Sequence, residues 1–329
     1  MAIKFVSGNS ISSVRRGVYA QIKENLSLDK INYVILPDST VSSAKREILK
    51  CCNIDCAFNL KVVSFSSLAR EFLQNSKQES LEECLIKFKL VAYENRDKLE
   101  AFGEIITNDG VAREIMAMIN TLAESNIDPH SLLTAGEKIG GILGVKIKDI
   151  AFLYKLYFDR ITNDKHGILK RLISYFESNK ISANINFYLC DFHTITAEQL
   201  DCLQAIIMTE NNVVIGEVND NIGGNNRIYP RFLNDFCAKL SEKYAIHLEY
   251  LTANESLDND REVLLSDLYG FSEKPKIAGC GSVEICYADD IALEVRGIAR
   301  QIRKLVVEDG YRYKDIAIFC PDINKYRQD

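Results

Sequence analysis

The sequence predicts an α/β fold: a parallel sheet with helices on its faces, interrupted by an all-helical block and followed by the start of a second α/β unit. Three observations lead there. Short β-branched runs alternate with helical patterns near the N-terminus and again over residues 187–218. Apolar residues recur at helical spacing, without strand-like runs, from about 79 to 179. Strand–helix–strand repeats of this length require parallel pairing, with the connecting helices covering the sheet.

Residues 3–7 (IKFVS), 33–37 (YVILP) and 61–65 (KVVSF) read as buried strands, and Val18, Ile22 and Leu26 mark a helix between the first two. The helical block carries three stripes. Leu81, Leu85, Phe88 and Ala92 form one, and Val111, Ile115, Met118 and Leu122 another. Ile150, Leu153, Tyr154, Tyr157, Phe158 and Ile161 form the third; stripes of this kind are core rather than a cofactor pocket. Asp128-Pro129 is a helix start, with Asp as cap and Pro in the first turn. Residues 187–191 (FYLCD) and 213–218 (VVIGEV) return to strand character. Between them, Thr196 with Gln199 three positions on is a capping-box signature, opening a helix that runs to Met208. Residues 221–226 (NIGGNN) are glycine-rich but join no strand to a helix in a phosphate-binding arrangement, so they read as a flexible loop.

Residues 257–281 read as a linker. A strand over 282–288, a helix over 291–307 with Gly310 near its C-cap, and a strand over 315–320 follow. Two strands and one helix cannot close a sheet with two covered faces, so the last domain reads as only begun and the chain as truncated. The expected organisation is an α/β domain of residues 1–78 and 181–256, a helical insertion of 79–180, a linker of 257–281 and the beginning of a second domain at 282–329.

Composition narrows the function classes. No run of about 18 apolar residues exists, and the first residues lack a signal peptide's apolar core, so a cytoplasmic protein without a membrane role is expected. Of ten cysteines, Cys190, Cys202, Cys286 and Cys320 sit in apolar runs as small hydrophobes. The cluster Cys51-Cys52-Asn53-Ile54-Asp55-Cys56 has no second Cys/His pair at zinc-finger spacing, so no metal is expected. Net charge is −6, yet residues 1–70 hold ten Lys/Arg against five Asp/Glu, a local +5 that could meet phosphates if its charges share a face.

The N-terminal segment FVSGNSISSVRRG occupies the place of a phosphate-binding loop. Such a loop, G-x-x-x-x-G-K-[ST], wraps phosphates in backbone N–H groups and meets them with a lysine. Gly8 matches its first glycine, but Ser13 replaces the second, Val14 the lysine and Arg15 the metal-holding hydroxyl residue. Further on, Cys190-Asp191 stands where a strand normally ends in Asp-Glu. Nucleotide hydrolysis needs both parts, so no catalytic residue is expected.

In order, these pieces resemble a superfamily-1 DNA helicase with a RecA-like core. Leu36-Pro37-Asp38-Ser39-Thr40-Val41 stands at a single-strand-contacting loop, and Val63 to Leu73 (VSFSSLAREFL) resembles a threonine-phenylalanine-histidine-serine-leucine segment. Ile215-Gly216-Glu217-Val218-Asn219-Asp220 sits at a Gly-Asp motif. More closely, "VVSFSSLAREFL", "FYLCDFHTITAEQL" and "EVRGIARQIRKLVVEDGYRYKDIAIF" are similar to segments of the AddB family (RexB in some bacteria). That family is the non-motor partner in the AddAB helicase–nuclease of double-strand-break repair. The resemblance implies a motor-dead helicase fold that serves as a scaffold and single-stranded DNA path and scans the strand for a short regulatory sequence. It also implies a motor partner of the AddA type. An iron–sulfur cluster and a nuclease metal ion would lie further C-terminal in the longer protein, with no cofactor in this part. By position, the DNA contacts it implies are Ser39, Val41, Phe65, Ser67, Arg70, Phe192 and His193. Phe65 and Phe192 could stack on bases and Arg70 could meet a phosphate. Two alternatives stay open: a module that only docks the AddA-type motor, and a divergent ATPase using Arg15 or Arg16.

Overall fold

β1 (Ala2–Gly8), α1 (Ile11–Asn25), β2 (Ile31–Ile35), α2 (Val41–Cys52) and β3 (Leu60–Val63) open the chain as alternating strand and helix. They belong to a computed structural model that describes residues 2–26, 29–73, 79–161, 164–178, 181, 184–218, 232–267, 279–320 and 322–326. By internal contacts the chain divides into two units, Met1–Ser256 and Leu257–Asp329.

In the first unit, helices α3 (Phe65–Phe72), α4 (Leu81–Glu94), α5 (Asp109–Glu124), α6 (Pro129–Ile139), α7 (Gly141–Arg160) and α8 (Lys165–Ser178) separate β3 from β4 (Ile185–Leu189). Helix α9 (Ala197–Met208), β5 (Asn212–Val218), α10 (Phe232–Tyr244) and β6 (His247–Thr252) follow. The six strands form one sheet in the order β3-β2-β4-β5-β1-β6, every ladder parallel. Ile3 lies opposite Val213 and Leu248, and Tyr33 opposite Lys61 and Phe187. The strands other than the edge strand β6 read as largely apolar runs because both faces of the sheet are covered there. Phe5, Tyr33, Phe187, Val213 and Ile215 face α3, α8, α9 and α10, while Val6, Val34, Tyr188 and Val214 alternate to face α1 and α2.

The helical block has its own core, built on Leu85, Phe88, Ile115, Ile119, Leu153, Tyr154 and Tyr157. The third stripe expected from the sequence packs there along its length. The second is turned by about one residue: α5 buries Ala112, Ile115, Met116, Ile119 and Ala123, leaving Met118 half exposed. Small Ala112 and Ala123 allow close helix approach, which a count of large apolar residues does not register. Asp149, 5% exposed, accepts the N–H groups of Glu100, Ala101 and Phe102 at 2.7–3.1 Å and so ties the 96–106 turn to α7.

The second unit contains α11 (Asn259–Asp267), α12 (Ile291–Val307) and α13 (Ile323–Tyr326). The helix expected over 291–307 is there, capped by Asp290, with Gly310 at φ +74° beyond it. The strands expected over 282–288 and 315–320 are not. Both segments are irregular apart from a short 3-10 turn at Tyr313–Asp315, and neither has a ladder partner among the described residues. A β-branched pattern makes a strand only where a neighbour supplies the hydrogen bonds. The glycine-rich run 221–226 lies outside the described residues.

Candidate nucleic-acid interface

In an all-parallel sheet every strand ends at the same edge, and every following helix begins there. Ligands of open α/β sheets bind in that crevice, and helix N-termini favour anions. Here the ends of β2, β3 and β4 surround a cavity of about 340 Å³. Thr40, Ser64 and Thr196, the N-cap residues of α2, α3 and α9, all line it. Ser64 Oγ accepts the Ser67 N–H, and Thr196 and Gln199 form the full capping box. Thr40 makes no side-chain cap; its hydroxyl donates to the Pro37 carbonyl instead. Three positive helix ends thus meet on one cavity.

Asp191-Phe192-His193 forms a shared wall with a second cavity of about 230 Å³, bounded by Ile11, Val14 and residues 216–218. This second cavity lies at the first loop. β1 ends at Gly8 and α1 begins at Ile11, leaving only Asn9 and Ser10 between them. Ser10 and Ser13 cap each other reciprocally, so the loop turns straight into the helix rather than wrapping. A Cβ on Gly8 would come within 2.4 Å of Ser13 Oγ and 2.6 Å of the Ala253 carbonyl oxygen, so packing alone requires this glycine. Val14, at the lysine position, is core.

Arg15 carries the main electrostatic feature. Its Nε donates to both carboxylate oxygens of Asp191 at 2.8 Å, and Glu47 lies 3.7 Å from its Nη1. The Asp191 side chain is 3% exposed, and its backbone is left-handed at φ +67°, a conformation that Asp tolerates better than most residues. Hydrogen bonding to Asp191, and its charge, raise the Arg15 guanidinium above its ordinary range against the effect of burial. Burial pushes the neighbouring Cys190 thiol well up, which keeps it neutral. In a metal-using loop the residue at position 15 and the acid at the strand end share a cation. Here they bond to each other. A bound Mg²⁺–nucleotide does not fit these residues.

Glu255, just after β6, closes over the same loop. Its carboxylate accepts from Ser10 Oγ and pairs with Arg16, while Asn9 brackets its backbone, accepting its N–H at 3.0 Å and donating to its carbonyl at 2.8 Å. Glu217, the residue after Gly216, accepts the N–H groups of Leu233 and Asn234 at 2.9 Å and so anchors the start of α10.

The residues singled out from the sequence are partly brought together. Ser39, Phe65, Phe192 and His193 line the first cavity. Ser39 and His193 are exposed, but Phe65 is buried against Phe192 with ring centroids 5.7 Å apart. Phe65 is therefore a wall and cannot offer a face to a base; Phe192, half-buried, keeps part of its ring accessible. Val41, Ser67 and Arg70 are not among the lining residues. Val41 packs on the core, whereas exposed Arg70 lies over the first turn of α3, donating to Ser67 Oγ at 2.9 Å. Arg15 and Arg16 are spent on Asp191 and Glu255. Sequence reasoning missed Glu255, which lies in no motif, and did not select the cavity-lining Asp38 and Thr194, although both lie in segments quoted above. Among the described residues, no group of three or more His, Cys, Asp or Glu is placed to hold a metal ion, and no helix is long and apolar enough to cross a membrane.

The sheet order, with β5 between β1 and β4 and every ladder parallel, defines a RecA-like α/β protein. The chain belongs to the family described as ADDB, N-terminal, whose profile matches residues 5–255. It is similar to the B subunit of the ATP-dependent helicase/deoxyribonuclease of Carboxydothermus hydrogenoformans, 25% identical over 281 residues that cover 82% of this chain and 25% of that protein. The proteins of the same name from Oceanobacillus iheyensis and Caldanaerobacter subterraneus are each 22% identical, over 97% and 99% of this chain and 30% of their own length. The chain thus spans less than a third of these relatives.

Proposed function

We propose that this region serves, within the B subunit of a helicase/deoxyribonuclease, as a motor-dead helicase fold that guides a single DNA strand along the carboxyl edge of its sheet. The observation that carries the reading is the Arg15–Asp191 pair. It puts a guanidinium where a nucleotide-using loop needs a metal, beside a buried valine where it needs a lysine. That chemistry leaves hydrolysis without two of its parts, while the converging ends of α2, α3 and α9 remain suited to phosphates. Exposed Lys45 and Arg46 add positive charge to α2, and exposed Arg70 reaches the first turn of α3 through Ser67. Phe192 is the base-stacking candidate and His193 a polar contact. The motor partner is of the AddA type, the process is recombinational repair of DNA breaks in the cytoplasm, and the iron–sulfur cluster and nuclease metal belong to the longer protein.

Fluorescence anisotropy of a labelled single-stranded oligonucleotide tests the DNA path. Arg70→Ala should weaken binding by roughly 1 kcal/mol, and Phe192→Ala by about 1–3 kcal/mol. Phe65→Ala should lower the melting temperature without a separate effect on affinity. Unchanged binding in Arg70→Ala and Phe192→Ala, with normal melting curves, would leave docking of the AddA-type motor as the better account.

A further inference from the structure

We propose that Glu255 is a tethered anion that occupies the start of α1 in place of a nucleotide phosphate, while Arg15 takes the metal's place on Asp191, so that the fold plugs its own nucleotide site. The inference deepens the motor-dead reading and rests on it.

The chain after β6 is directed onto the loop rather than away from it. Ala253 N–H donates to the Ser7 carbonyl at 2.7 Å, extending the β1–β6 pairing by one bond. Gly17 makes room for this segment, since a Cβ there would lie 2.7 Å from Ala253 Cβ. Asn9 then holds the backbone of Glu255 from both sides. With the backbone fixed, the carboxylate falls on the capping residue Ser10 and on Arg16, one turn into α1. An N-terminus of this kind attracts an anion from solution. Here the anion is part of the chain, so its contact is intramolecular and set by the fixed backbone of Glu255 rather than by the concentration of a free anion. Its side chain is 24% exposed, so the plug is at the surface and open to exchange once weakened.

The test uses the full 329-residue chain, with inorganic pyrophosphate as probe and thermal melting as readout, against sodium chloride at matched ionic strength. Wild-type protein should show no specific rise in melting temperature. Glu255→Ala should melt lower and regain the loss saturably as pyrophosphate rises through the millimolar range. Adding Ser10→Ala to it should abolish that recovery. Glu255→Gln keeps the shape and the Ser10 contact but not the charge, and should show a smaller response of the same sign; it carries the test if the alanine variant does not fold. Equal responses in wild type and variants, or none in either Glu255 variant, would overturn the plug. Single-strand binding measured on the same variants separates the two readings. Intact DNA binding without a pyrophosphate response sinks the plug alone, whereas tight Mg²⁺-dependent ATP binding by wild-type protein sinks both.

Discussion

Replacing Arg15 with alanine strands the Asp191 carboxylate, which is 3% exposed and loses both of its 2.8 Å bonds from Nε. A hydrogen bond between charged groups contributes about 1.5–3 kcal/mol, and orphaning a fully buried ion costs about 3–5 kcal/mol. Arg15 itself is 29% exposed, so water screens part of the pair. Arg15→Ala should therefore lose about 2–3 kcal/mol. For a folded unit of this size that lowers the melting temperature by roughly 5–10 °C. Asp191→Asn keeps one acceptor oxygen and should lose about half as much, with a coupling energy near 1–2 kcal/mol in the double-mutant cycle. Arg16→Ala, whose own side chain is largely exposed, should change stability by less than about 1 kcal/mol. The assay is urea unfolding followed by circular dichroism and tyrosine fluorescence. If Arg15→Ala unfolds within about 0.5 kcal/mol of wild type, or the two residues prove additive, the pair is not the keystone of this loop.

Asp149→Ala removes three backbone hydrogen bonds made to one buried carboxylate and should destabilise by about 2–4 kcal/mol in the same assay; a value below about 1 kcal/mol would refute the tie. Asp164 lies buried before α8, and burial raises its carboxyl pKa against the Gly167 N–H, the His166 charge and the Tyr157 hydroxyl, which favour the ionised form. The folded state then keeps this proton to higher pH than the unfolded chain, so this group subtracts stability as pH rises from about 3.9 through the raised folded value. Asp164→Asn keeps an acceptor for Gly167 and should gain stability over wild type near neutrality, a gain that vanishes in acid; a gain confined to acid would contradict the assignment. A thiol reagent should label Cys51, Cys56, Cys280, Cys286 and Cys320 in native protein, and Cys52, Cys84, Cys190, Cys202 and Cys237 only after denaturation; early loss of the Cys190 or Cys202 thiol would contradict their burial in the sheet's two cores.

Much of the fold was legible because it rests on local patterns. The strands at 3–7, 33–37, 61–65, 187–191 and 213–218 carry the apolar runs of a doubly covered sheet, and each appears within two or three residues of its expected position. β6 was not legible: it is an edge strand with the sequence HLEYLT and no fully buried residue, so neither alternation nor a continuous run marks it. The site was half legible. The missing lysine and acid pair were visible as substitutions, but the Arg15–Asp191 pairing and the Glu255 contacts at the loop were not. Arg15 and Asp191 stand 176 positions apart, and Glu255 lies in no motif. Only the parallel order of the sheet brings all three to one edge. Phe65 and Phe192 looked alike in sequence, and tertiary packing alone separates the buried wall from the half-open ring.

The central claim, a strand path at the sheet's carboxyl edge that works without nucleotide, is tested most directly by one anisotropy titration of single-stranded DNA over a salt series, with and without Mg²⁺-ATP. Binding should weaken linearly in log–log form, with a slope of about −0.7 per phosphate contacted, and the curves with and without nucleotide should superimpose. Affinity that is indifferent to salt, or that appears only when Mg²⁺-ATP is present, would contradict the account.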